Sequence, residues 1–304
     1  MELLYTAVTT PFVNNKVDIL TLYDHIKFLI RNNSGIVLFG TTGECPTLSD
    51  IEKYQIMDYL ADNLSPQEKA LFVIGVGGNN TQDCIDFSLE ATNRGFTKIM
   101  ITAPYYNKPT QEGLFLHFTT IALNHLEVCS ESQVILYNVP GRSVVNINPP
   151  TVQRIFNTCT NIVAIKEASG NLNQVIAIRT LVPNIKVYSG DDALTIPIMS
   201  VGGIGVISVV SNIFPSQIHS IVQLCSELHY TEAFNKYSKM HNFIEAMFCE
   251  TNPVPIKYAL FLQDMYKSDE CRLPLAQLSL ENQNKVIKCL NEMKSHFFTV
   301  ELPF

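Results

Sequence analysis

Eight short apolar runs, each followed by a longer stretch patterned for a helix, fill the chain up to about residue 229 and leave few folds open. The runs are Leu3–Val8, Gly35–Phe39, Leu71–Val76, Lys98–Thr102, Val134–Tyr137, Ile162–Lys166, Lys186–Ser189 and Gly205–Ser208. Between them, Asp18–Arg31, Asp50–Asn63, Gln82–Arg94 and Gln111–Leu126 carry apolar residues at three- and four-residue spacing. Ser49 before Asp50 and Glu52, and Thr81 before Gln82 and Asp83, read as helix caps. Eight strands each followed by a helix fit a parallel (β/α)8 TIM barrel, with an open doubly wound sheet as the competing arrangement. Eight repeats in about 230 residues favour the barrel.

From His229 the strand pattern stops. His229–Cys249, Ile256–Met265 and a segment around Leu280–Phe297 carry helical spacing, and Pro253 and Pro255 interrupt it. The division expected is a barrel over residues 1–229 and a small C-terminal helical domain over 230–304. A net charge of −7, from 21 basic and 28 acidic residues without long runs of one sign, offers no basic patch for nucleic acid. No uncharged apolar stretch is long enough to cross a bilayer, so no membrane association is expected. The N-terminal residues carry no basic stretch leading into an apolar core, which predicts no signal peptide. Eight cysteines without a C-x-x-C pair suggest neither a zinc framework nor a disulfide scaffold, but reduced, mostly buried thiols in a cytoplasmic protein.

The distinctive polar clusters follow strands. They are Gly40–Glu44, Gly75–Asn80, Pro104–Pro109, Tyr137–Arg142, Lys166–Gly170 and Ser189–Asp192. In a barrel the loops after the strands form the catalytic face, so these clusters converge on one rim and point to an enzyme. In Ile162-Val163-Ala164-Ile165-Lys166, alternation places Ile162, Ala164 and Lys166 on the inner face and Val163 and Ile165 on the outer. A desolvated lysine in the barrel mouth has a lowered pKa, and its neutral amine can attack a carbonyl to form a Schiff base. The alternative is a lysine snorkelling to solvent from a strand end, and periodicity alone leaves both standing. Tyr137 belongs beside Lys166 at the same rim, either as a proton relay positioned by Thr41 or as an amphipathic core residue. Arg142 is either a fork for a carboxylate or half of a surface ion pair. The turn around Thr41 and Thr42 presents backbone N–H groups to an anion, a weak signal by itself.

Taken in order, Gly40–Glu44, Tyr105-Tyr106-Asn107, Tyr137–Arg142, Ile165–Ala168, Ser189–Asp192, Gly205–Val209, Asn252–Lys257 and Arg272-Leu273-Pro274 resemble the dihydrodipicolinate synthase (4-hydroxy-tetrahydrodipicolinate synthase) family of pyruvate-dependent Schiff-base aldolases. The resemblance runs over nearly the whole chain. It implies a homotetrameric barrel lyase that condenses pyruvate with L-aspartate 4-semialdehyde in lysine and diaminopimelate biosynthesis, with no metal and no organic cofactor. Lys166 matches the family's Schiff-base lysine. Tyr137, Thr41 and Tyr106 match its proton relay, Tyr106 being donated across a subunit interface. Thr42 matches the residue holding the pyruvate carboxylate, and Arg142 the one recognising the aldehyde's carboxylate. Gly190 and Ile207 match residues lining the pocket near the lysine.

Two departures stand out. Cys45-Pro46 follows Glu44 where many relatives carry Ser and a small residue, and Ser143-Val144 follows Arg142 where Thr-Gly is usual. The second predicts an altered backbone around Arg142. The family's L-lysine feedback site maps to Cys45, Pro46, Leu48, Asp50, Lys53, Asn79, Asp83 and Tyr105. Lysine-binding members often carry histidines at the positions of Asp50 and Lys53, so weak or absent inhibition is expected here. Rival readings are a sister aldolase, such as N-acetylneuraminate lyase or a keto-deoxy sugar-acid aldolase, and a catalytically silent metabolite-binding barrel. A phosphate site at Gly202-Gly203-Ile204-Gly205 is weaker, since glycines before a strand more simply permit close packing.

Overall fold

A computed structural model describes residues 1–297. The apolar runs form β1 Leu4–Ala7, β2 Gly35–Leu38, β3 Phe72–Gly75, β4 Lys98–Thr102, β5 Gln133–Asn138, β6 Ile162–Glu167, β7 Lys186–Ser189 and β8 Gly205–Ser208. Each pairs in parallel with the next, and β8 returns to β1, so the sheet closes into a barrel. The open-sheet arrangement is thereby excluded. Around it run α1 Ile19–Arg31, α2 Asp50–Asn63, α3 Thr81–Asn93, α4 Gln111–Val128, α5 Pro149–Thr158, α6 Leu172–Leu181, α7 Thr195–Ser200 and α8 Pro215–Ser226. The tail adds α9 Tyr230–Ala246, α10 Val254–Leu262 and α11 Leu280–Phe297.

Local chemistry sets the helix starts. Ser49 caps α2 in a reciprocal box with Glu52, as its spacing predicts. At α3 the cap is Asn80 rather than Thr81: Asn80 accepts from the Gln82 N–H, while the Thr81 hydroxyl bonds His117 Nδ1 at 2.9 Å. Asparagine and threonine compete here, and the residue placed one position earlier takes the cap. An additional antiparallel hairpin, Phe12–Val13 with Lys16–Val17, turns on Asn14 and Asn15, both left-handed.

The barrel interior is filled by Tyr5, Ala7, Val37, Val73, Met100, Ile135, Tyr137, Ala164, Tyr188 and Ile207, while the outward faces pack against the helices. One expectation fails. Ile162 belongs to the outer layer and Val163 packs toward the interior. The β5–β6 ladder steps from Val134↔Ile162 directly to Ile135↔Ala164, so Val163 is an extra residue that resets the alternation. Beyond this irregularity the phase is as read: Ala164 and Lys166 face inward and Ile165 outward.

The tail shares an apolar core with β1, α8 and the turn after β8 through Met240, Phe243, Ile256 and Leu260. Polar ties add to it. Tyr266 Oη contacts Thr9 Oγ1 at 2.6 Å and His25 Nδ1 at 2.9 Å, and the opposite ring nitrogen of His25 contacts the Asn212 carbonyl at 2.8 Å. Burial pushes the His25 pKa down to about 4, which keeps the ring neutral at this seam. All eight cysteines are free, five of them buried. No helix among the described residues is long and apolar enough to cross a membrane.

Candidate active site

At the ends of the strands lies a cavity of about 310 Å³, walled by Thr41, Thr42, Tyr137, Arg142, Lys166 and Gly190 among others. Register explains the meeting of Tyr137 and Lys166: they are direct partners across β5 and β6. Lys166 Nζ lies 4.4 Å from the centre of the Tyr137 ring. Both side chains are buried, with Lys166 only 6% exposed. Glycine at 190 is required by space, because a Cβ there would sit 2.6 Å from the Ala168 Cβ and 3.1 Å from Lys166 Cε.

The Lys166 amine has neither an ion pair nor a hydrogen bond to any described residue. Burial lowers its pKa to about 8; the nearby Asp192 carboxylate raises it, and the Arg142 guanidinium lowers it further. At pH 7.5 about a quarter of such amines are uncharged, against about one in a thousand for an ordinary lysine. Tyr137 is pushed up to about 12 by burial, with Arg142 and the Thr41 hydroxyl acting the other way. Its phenol therefore stays protonated and can donate. Asp192, raised by burial to about 6, is held by the Ser208 hydroxyl and by the Val209 N–H at 2.8 Å.

The Gly40–Glu44 turn folds on itself through Gly43 N to Gly40 O at 3.1 Å and Glu44 N to Thr41 O at 3.0 Å. The Thr41 and Thr42 N–H groups have no acceptor among the described residues, and both threonines line the cavity with the lysine. Thr42 is 3% exposed and accepts a hydrogen bond from Asn252 Nδ2 at 2.9 Å. The turn is anchored by Glu44, whose carboxylate meets Lys257 Nζ at 2.7 Å and the Arg272 N–H at 2.9 Å.

On the other side of the wall, Glu167 gathers Asn138, Ser169 and Gln174 as donors at 2.7–3.2 Å, and Asn138 in turn accepts from the Ile147 N–H. This network fixes both ends of the segment that carries Arg142. That segment makes one helical turn, Pro140–Ser143, closed by Val144 at φ 61°. Val144 is thus a β-branched residue held left-handed, a costly conformation for any L-residue with a Cβ.

The sequence matches the profile of the dihydrodipicolinate synthetase family over residues 1–293. The chain belongs to this family. A 4-hydroxy-tetrahydrodipicolinate synthase from Endomicrobium trichonymphae is 42% identical over 293 residues, covering 95% of this chain and 97% of that one. A dihydrodipicolinate synthase crystal structure superposes with a TM-score of 0.91 at 39% identity, over 96% of this chain and 99% of its own. The Aquifex aeolicus dihydrodipicolinate synthase structure gives 0.90 at 33% identity, over 97% and 98%.

Within the synthetase-family barrel, the cavity brings together Lys166, Tyr137, Thr41, Thr42, Arg142 and Gly190. It does not bring in Tyr106, which is 87% exposed on a loop braced by Asn79 and Asn107, with its own φ at 72°. Ile207, expected on the cavity wall, is instead buried in the barrel interior with Ala164 and Tyr188; Val209, just past β8, takes the wall position. Of the residues mapped to the feedback site, Cys45, Pro46 and Leu48 lie at the turn leading into α2. Lys53 Nζ pairs there with Asp50 at 3.0 Å and lies 5.3 Å from the Phe87 ring centre. Asn79 reaches the Tyr105 carbonyl at 3.4 Å, and Asp83 lies in the first turn of α3. Among the described residues no three His, Cys, Asp or Glu gather as a metal site.

Sequence reasoning missed Asp192, Asn252, Glu44 and Lys257 as individuals, although each lies inside a cluster that it singled out. Asp192 had a usable signal, as the second acid of Ser189-Gly190-Asp191-Asp192 immediately after β7. The pairs Asn252–Thr42 and Lys257–Glu44 join positions more than 200 residues apart, and nothing in local spacing reports such a pairing.

Proposed function

We propose that this chain is a 4-hydroxy-tetrahydrodipicolinate synthase that condenses pyruvate with L-aspartate 4-semialdehyde through a Schiff base on Lys166. The observation that carries the reading is the buried, unpaired Lys166 amine, its pKa lowered to about 8, beside the Tyr137 phenol. The neutral amine adds to C2 of pyruvate, and the carbinolamine loses water to give a cationic imine. Tyr137, with Thr41, passes the protons of these steps. The imine then acts as electron sink while a C3 proton leaves. The resulting enamine attacks the aldehyde carbon, and the amino group of the semialdehyde displaces Lys166 as the ring closes.

The Thr41 and Thr42 N–H groups and the Thr42 hydroxyl suit the pyruvate carboxylate, and Arg142 at the exposed mouth suits the carboxylate of the second substrate. Tyr106, turned outward on its braced loop, is assigned to the site of a neighbouring subunit in a homotetramer, and the enzyme to the cytoplasm. Lys53, paired with Asp50, adds a cation to the residues mapped to the feedback site, which supports weak or absent inhibition by L-lysine. Submillimolar inhibition in a steady-state assay would overturn that part alone.

The deciding experiment is borohydride reduction in the presence of pyruvate followed by peptide mass mapping, then turnover with aspartate semialdehyde against N-acetylneuraminate. An adduct at Lys166 with semialdehyde turnover is expected. Trapping with turnover of N-acetylneuraminate instead would move the chain to the sister aldolases, and no adduct at all would leave a silent barrel.

A further inference from the structure

We propose that Asn252 is a positioning residue for the keto-acid carboxylate, acting by fixing the direction in which Thr42 offers its hydroxyl proton. The inference rests on the proposed function and deepens it. Asn252, in the tail just before α10, is 6% exposed, and its Nδ2 donates to Thr42 Oγ1 at 2.9 Å. That is the sole hydrogen bond of the Thr42 side chain among the described residues. A hydroxyl oxygen that already accepts from an amide keeps its own proton for another partner. Beside it in the turn are the Thr41 and Thr42 N–H groups, which have no acceptor among the described residues, and both threonines line the cavity, so the turn offers several donors to one ligand, and a ligand that answers several donors is a carboxylate. Remove Asn252, and the hydroxyl is free to rotate and give its proton elsewhere.

The brace behind this contact is built for fixity. Glu44, two residues after Thr42, and Lys257, five after Asn252, form an ion pair at 2.7 Å with both side chains fully buried. Lys257 Nζ and the Arg272 guanidinium carbon lie 4.3 and 4.4 Å from the centre of the Phe12 ring, and the Arg272 N–H closes on Glu44. The tail therefore holds a fixed register against the turn, and Asn252 lines the cavity from it together with Glu245 and Phe248. Asn252 Oδ1 is buried without a protein partner. A direct contact from that oxygen to the second substrate is the rival role, and the test separates the two.

The experiment measures pyruvate and semialdehyde saturation, together with the pyruvate dependence of borohydride trapping at Lys166. The variants are Asn252→Ala, Thr42→Ala, the double variant, and Asn252→Ala combined with Thr42→Ser. Asn252→Leu, closer in volume, guards against a cavity effect, and thermal unfolding checks each protein. Asn252→Ala is expected to raise the pyruvate KM and the half-saturating pyruvate for trapping about tenfold, as for a weakened hydrogen bond to a charged group. Turnover at saturation changes far less. In the Thr42→Ala background the same substitution adds nothing, whereas in the Thr42→Ser background its effect persists. Full additivity, an unchanged pyruvate titration, or a rise confined to the semialdehyde KM overturns the inference. A wild-type chain that traps no pyruvate overturns the proposed function and this inference with it. Wild-type trapping with an indifferent Asn252→Ala overturns the inference alone.

Discussion

Two lysines are buried near the same face of this barrel, and their surroundings could hardly differ more. Lys257, where the tail meets the Gly40–Glu44 turn, is fully buried and bonded to Glu44 at 2.7 Å. Lys166, in the cavity, is 6% exposed and has no acid in bonding range; Asp192 acts on it only at a distance. A buried cation with a bonded acid is a strut, whereas one without is an amine under pressure to lose its proton. Burial alone does not make a lysine reactive; the missing partner does.

The sharpest way to break this comparison is to delete each amine. Lys166→Met should abolish borohydride trapping and reduce turnover to background, while the unfolding midpoint at pH 7 holds or rises. The rise follows because a pKa depressed from 10.5 to about 8 is a folded-state cost of roughly 3 kcal/mol, present below pH 8 and fading as pH climbs from 8 to 10.5. Lys257→Met should do the reverse: denaturant titration should show a loss of about 3–5 kcal/mol, because Glu44 is left buried and unpaired. Adding Glu44→Gln should recover much of that stability. If Lys257→Met unfolds no more easily than wild type, the strut reading fails.

A smaller effect concerns pH. The pyruvate kcat/KM should rise with pH around an apparent pKa near 8, as the free amine appears. Asp192 raises the Lys166 pKa and Arg142 lowers it, so Asp192→Asn should move the profile to lower pH and Arg142→Gln to higher pH. Shifts in the same direction would show that the two groups do not act through Lys166. The smallest effect is at Val144, 61% exposed and left-handed. Val144→Gly should stabilise the chain by about 1 kcal/mol in chemical denaturation, since it removes a Cβ penalty and loses little packing. A loss of stability would mean that Val144 packs against something that its exposure does not suggest.

Much of this was legible in the sequence. Every barrel strand lies within one residue of its apolar run at either end, because a strand buried on both faces has little else to be made of. Lys166 is read inward because it shares a face with small Ala164, and no irregularity separates those two; Ile162, read on the same face, is wrong because the extra residue Val163 intervenes. Such a bulge has no signature in the residues themselves. Tyr137 beside Lys166 followed from strand order, whereas Asn252 on Thr42 is a contact of the folded tail that no periodicity encodes. The same holds for Ile207: its strand was found, but the depth at which its side chain stops was not.

Glu167 follows Lys166 directly in the chain, yet its carboxylate bonds to Asn138, Ser169 and Gln174 and never to the amine. Strand pleating turns the two side chains to opposite sides of the sheet, and the sheet behaves as an insulator between them. Two adjacent codons therefore specify opposite charges that cannot cancel. Deleting Ile165, which lies beyond the extra residue Val163, would exchange their sides, putting an acid into the chamber and exiling the base, so the enzyme's chemistry depends on strand parity as strictly as on residue identity.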